Sequence, residues 1–140
     1  MNYWLDVTSI LPNETVKKGT SVTISGIARI PQKQGIYHRN DPIYPNSTVY
    51  LVIMTDESEI GQGNNIFRQY SEMIWAKTDG SGNFSVEINT KKLPLGPDYK
   101  IGYCNEAKLE ERRFTDKNIS ILDTKTFSFF KKALRGMCPP

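Results

Sequence analysis

Four sets of side chains in this chain have types and spacing that could do chemistry. The one histidine, His38, stands in an irregular stretch. A catalytic histidine needs a nucleophile and an orienting group brought to it, and no Ser or Cys of this chain lies in a nucleophile motif. His38 therefore reads as a loop residue. The carboxylates Asp56, Glu57 and Glu59 sit in a polar turn region that offers oxygen ligands for a hard cation, but their spacing matches no calcium loop. Glu57, Glu59, Glu72, Glu106, Glu110 and Glu111 could pair as glycosidase acids only if the fold sets their separation. Cys104 and Cys138 form no metal-binding cluster with a histidine. A disulfide between them would staple the C-terminus to the body of the protein; two separate thiols are the alternative. There is no glycine-rich phosphate loop after a strand and no interleaving of aromatic and basic residues of the kind that binds single strands. The sequence thus predicts a protein that is not an enzyme, with no cofactor, no metal and no nucleic-acid partner.

Positioning any of these groups falls to strands. Tyr3, Leu5 and Val7 alternate with Trp4, Asp6 and Thr8, as in an edge strand with one face inward. Val22 and Ile24 alternate with Thr23 and Ser25, after which Gly26 offers a bulge that would re-aim Ile27 or Ala28 and Ile30. The stretch from 31 to 45 has no usable period. It is a long loop in which Tyr37, His38 and Tyr44 are the candidate ligand or partner contacts. Residues 47–54, STVYLVIM, are apolar on both faces and predict a central strand covered on both sides. The segment 66–77 suits a strand better than a short helix, because Trp75-Ala76-Lys77 must run into the turn at 78–83.

That turn, Thr78-Asp79-Gly80-Ser81-Gly82-Asn83, opens into the alternating run Phe84, Val86, Ile88 and predicts a hairpin. Leu93-Pro94-Leu95-Gly96-Pro97 then forms a corner. Tyr99, Ile101 and Tyr103 alternate beyond it, with Tyr99 where sandwich domains place a tyrosine whose hydroxyl bonds back to the corner. The charged stretch 105–117 reads as a connection that forms one helical turn or an extended hairpin. Residues 118–122 and 124–129 alternate as the closing strand or strands, and 131–140 form a tail or linker after a single domain at 1–130.

Two stretches carry a family resemblance. T-D-x-x-G-N-F-S-V followed by L-P-x-G-x-x-Y-x-I, and V-K-K-G-T-S-V-T-I-S-G before them, resemble the strands of prokaryotic immunoglobulin-like surface-protein repeats over about Val16 to Tyr103. The resemblance implies an all-β fold, an immunoglobulin-like antiparallel sandwich of about seven to nine strands with long loops and a C-terminal tail. It further implies a non-catalytic extracellular module of a surface-layer, sheath, pilus or adhesin type. Its partners would be other copies of itself or neighbouring repeat domains. A carbohydrate-binding module using Trp4, Tyr37, Tyr44, Tyr70 or Trp75 as stacking platforms is the alternative.

Composition agrees with an extracellular or cell-surface setting. The 140 residues carry a net charge of +3. The basic pairs Lys17-Lys18, Lys91-Lys92, Arg112-Arg113 and Lys131-Lys132 count as solvated surface unless the fold gathers them on one face. N-x-S/T sequons at Asn13, Asn46, Asn83 and Asn118 are candidate N-glycosylation sites, although Asn83 sits in a tight turn. No apolar stretch is long enough to span a membrane, and the first residues lack the basic start and apolar core of a signal peptide.

Overall fold

The computed structural model describes residues 2–33, 35–54, 71–105 and 113–137. The elements are β1 (Trp4–Leu11), β2 (Thr15–Lys17), β3 (Ser21–Arg29), β4 (Thr48–Met54), β5 (Ser71–Lys77), β6 (Asn83–Asn89), β7 (Gly96–Cys104), β8 (Arg113–Leu122) and the helix α1 (Thr124–Met137). They form two sheets, one ordered β1-β3-β6 and the other β2-β8-β7-β4-β5. Every pairing is antiparallel except that of β2 with β8, which is parallel. Among the described residues β1 lies at a sheet edge, as expected from its sequence.

One core joins the two sheets. Val22, Ile24 and Ala28 of β3 and Phe84, Val86 and Ile88 of β6 face Val49, Leu51 and Ile53 of β4, Ile101 of β7, and Ile119 and Ile121 of β8. The period of two puts these residues on one side of each strand. Each aliphatic side chain buried this way stabilises the fold by roughly 1.5–3 kcal/mol, so the shared core dominates the gain from burial. β4 is apolar on both faces, as its sequence predicts. Val52 and Met54 turn away from the main core and pack with Cys104 in a second cluster, flanked by half-buried Tyr50, Met73 and Phe114.

Three connections differ from the sequence reading. The turn at 78–83 is well made: the Asp79 carboxylate accepts from the amides of Ser81 at 2.8 Å and Asn83 at 2.9 Å. Yet β5 pairs with β4 and β6 with β3, in different sheets. The turn is therefore an arch between layers rather than a hairpin. At Gly26, β3 keeps its alternation, with Ile24, Gly26 and Ala28 all buried. The irregularity lies in the partner strand, between Val7 and Ser9 of β1. Gly26 is required there because a Cβ would stand 2.1 Å from the carbonyl oxygen of Asp6.

The end of the chain is the third. Thr124 to Phe129 does not form a strand, and the boundary at 130 falls inside α1. Asp123 caps the helix, its carboxylate accepting from the Thr126 amide at 2.7 Å and its carbonyl from the Phe127 amide at 2.9 Å. Phe127 and Phe130, three apart, share a face toward β2. The closing strand is β8, which takes in residues 113–117 of the charged stretch.

Candidate functional site

The loop from 31 to 45 is pinned to the sheet by one aspartate. Asp41 is only 6% exposed. Its carboxylate accepts from the indole N–H of Trp4 at 2.9 Å and from the His38 amide at 3.2 Å, while its carbonyl accepts from the Arg29 guanidinium at 3.0 Å. Backbone bonds from Ile30 to Pro42 and from Tyr44 to Ala28 close the loop's base onto β3. A half-buried indole needs a partner for its N–H, but no local pattern ties Trp4 to Asp41, which is 37 residues further on.

This anchoring brings Tyr37 against Trp4, with ring centroids 5.6 Å apart and planes 37° apart. The two rings border an open cavity of about 270 Å³ whose lining includes the polar residues Asp6, Arg39, Tyr103, Thr115 and Asp116. Arg39 and Asp6 pair at 3.6 Å. The Tyr103 hydroxyl is pushed well above the ordinary tyrosine range, chiefly by burial and then by the neighbouring Tyr37. The rings can stack and the polar groups can hydrogen-bond to a ligand.

Of the three loop candidates, only Tyr37 lines this cavity. His38 is exposed and serves the loop through its backbone. Tyr44 packs inward, stacked on Tyr3 at 5.3 Å and 15°, and its carbonyl accepts from the Thr78 hydroxyl at 2.7 Å. Tyr3 is the hub beneath it. Its hydroxyl donates to the Cys104 carbonyl and accepts from the Tyr50 amide.

A second surface lies on β5, which ends its sheet among the described residues. Trp75, opposite Tyr50 of β4, is 68% exposed there. Among the sequons, Asn13, Asn46 and Asn83 are exposed, Asn83 bonding to Asp79 in its turn at 3.2 Å, whereas Asn118 is half-buried within β8. Cys104 is fully buried; Cys138, and with it the expected disulfide, lies outside the described residues. So do Asp56, Glu57, Glu59, Tyr70, Glu106, Glu110 and Glu111. Among the described residues no group of three or more His, Cys, Asp or Glu could hold a metal ion, and no helix is long and apolar enough to cross a membrane. No protein-family model and no curated protein matches this chain.

Proposed function

We propose that the chain is an immunoglobulin-like sandwich acting as a non-catalytic extracellular structural and interaction module of a cell-surface protein. The strand orders support the fold: β1-β3-β6 corresponds to strands A, B and E of the immunoglobulin scheme, and β2-β8-β7-β4-β5 to A′, G, F, C and C′. The chain leaves β1 in one sheet and joins β8 in the other as β2, so its first strand is shared between layers. The tyrosine corner at Tyr99 supports the same reading.

The observation that carries the interaction role is β5, which ends its sheet among the described residues and holds an indole 68% in solvent. An exposed edge presents unpaired amides and carbonyls for another strand, and a large aromatic beside them adds apolar area to the contact. Its partners are other copies or adjacent repeats. Exposed Asn13 and Asn46 suit glycosylation. Light scattering coupled to size exclusion, over a range of concentrations with and without reductant, tests this. Concentration-dependent oligomers are expected, and a strict monomer throughout contradicts self-assembly.

A second reading, binding of a carbohydrate, rests on the cavity beside Trp4 and Tyr37, where rings, carboxylates and Arg39 meet. A glycan screen with Tyr37→Ala as control separates it from the first.

A further inference from the structure

The fold gathers basic pairs that are far apart in sequence. The Gly19 amide donates to the Thr90 hydroxyl at 2.9 Å, and a Cβ at Gly19 would stand 3.9 Å from Lys91 Cγ. The Lys18 ammonium donates to the Leu93 carbonyl at 2.7 Å. Lys17-Lys18 and Lys91-Lys92 therefore share one end of the molecule. At that end β2 also meets α1: Val16, Lys17 and Thr20 border a cavity of about 300 Å³ with Phe127, Phe130 and Lys131. The lysines at 17, 18, 91, 92, 131 and 132 are all exposed.

Few acids answer them. Segment 124–137 contains no Asp or Glu, and among the described residues no ion pair involves these lysines. Glu14 and Asp123 are the acidic residues nearest in the chain to β2 and α1, and Asp123 is engaged in capping. The lysines at this end exceed the net +3 of the whole chain, so the remainder of the molecule carries net negative charge.

The helix adds an apolar element. Lys125, Phe129 and Lys132 are spaced i, i+4 and i+7, which places them along one face. Phe129 is 68% exposed between two exposed lysines, while Phe127 and Phe130 turn toward β2. An aromatic ring flanked by lysines on an exposed helical face fits the boundary of a bilayer, where the ring enters the acyl edge and the ammonium groups reach phosphate. A purely polyanionic partner would use the lysines and leave Phe129 in water.

We propose that the outer face of α1, lying flat with Phe129 inserted between Lys125 and Lys132, docks on the surface of a membrane containing anionic lipid, the lysines on the β2 side of the helix adding longer-range attraction.

The test is co-sedimentation of the full chain with vesicles of phosphatidylcholine, alone or mixed with phosphatidylglycerol, at low and high salt. A short DNA duplex and heparin serve as soluble polyanions. Binding is expected to the mixed vesicles only, and to weaken with salt. Lys125→Gln and Lys132→Gln each lower it about fivefold, and Phe129→Ser lowers it roughly fivefold to tenfold at either salt. All three side chains are exposed, so the urea midpoint stays unchanged and reports that folding is intact. Equal binding to both vesicles, no binding to either, or duplex or heparin binding without vesicle binding overturns the proposal. So does vesicle binding that is indifferent to Phe129→Ser.

Discussion

The hydroxyl of Tyr99 donates to the carbonyl oxygen of Pro94 across 2.7 Å, tying the start of β7 back to the corner that precedes it. Its ring lies against Gly96, where a Cβ would stand 2.7 Å from ring carbon Cε2. The bond and the close approach involve the same ring, so a side chain at 96 that displaces the ring is expected to strain the bond to Pro94. Tyr99→Phe is expected to cost about 1 kcal/mol through the lost bond. Gly96→Ala is expected to cost about 1–3 kcal/mol through displacement of a ring that is itself 1% exposed. Urea denaturation of each variant, and of the pair, measures both. Because the two residues touch, the double variant is expected to lose less than the sum.

Two glycines separate packing from turn geometry. Gly26→Ala would drive a Cβ into the backbone of Asp6 and Val7, and backbone cannot move aside without breaking the β1–β3 ladder. The expected loss is about 3 kcal/mol or more. Gly80 has nothing within 4 Å of the corresponding position. Gly80→Ala is expected to change stability by less than about 0.5 kcal/mol. Equal effects at the two sites would contradict the close approach of β1 to β3.

The path from sequence to fold was legible where local chemistry decides and illegible where partners decide. Alternation placed β1, β3 and β6, the run apolar on both faces placed β4, and the corner motif placed the Tyr99 hydroxyl. Turn chemistry at Asp79 and Asn83 is the same whether the flanking strands pair with each other or with strands of opposite sheets, so an arch resembled a hairpin. Thr126 to Phe129 alternates polar and apolar residues, which imitates a strand. Asp123 as a cap, the three-residue spacing of Phe127 and Phe130, and the lysines that follow were helix signals carrying the opposite message. The lysine-rich end was invisible for another reason: it depends on residues 17–20 and 90–93 meeting, which no local pattern records.

Acid is expected to weaken the fold partly through two exposed carboxylates. Asp79 is held below its ordinary value of 3.8 by the amides of Asn83 and then Ser81, and Asp123 below the same value chiefly by the amide of Thr126. A carboxyl lowered in the folded state contributes stability in full above its unfolded value, and loses it as pH falls through that value toward the folded one. The urea midpoint is expected to drop below about pH 4. In Asp79→Asn/Asp123→Asn that drop is expected to be shallower. Parallel pH profiles for the variant and the parent would contradict the assignment.

Alkali acts on buried tyrosines with the opposite sign. Burial is the largest cause that raises the Tyr3 and Tyr103 hydroxyls above their ordinary value of 10.0. A phenol raised in the folded state contributes stability in full below its unfolded value, and loses it as pH rises beyond that point. The fold is expected to weaken above about pH 10 as the unfolded state ionises first. Tyr3→Phe is expected to flatten this loss. It also costs about 1–3 kcal/mol at neutral pH, because the Tyr50 amide loses its acceptor. Ultraviolet titration of tyrosinate beside circular dichroism follows both.

The claim that β5 is the assembling edge is tested most directly by light scattering of the parent chain and Trp75→Ser side by side across concentration. Trp75 is exposed, so its replacement leaves the core intact and the monomer folded. The account predicts oligomers for the parent and a shift of at least about tenfold toward monomer for the variant, as expected when an aromatic anchor is removed from a contact. Oligomers of the same size and concentration dependence in both chains would contradict it, and would place assembly on a surface other than β5.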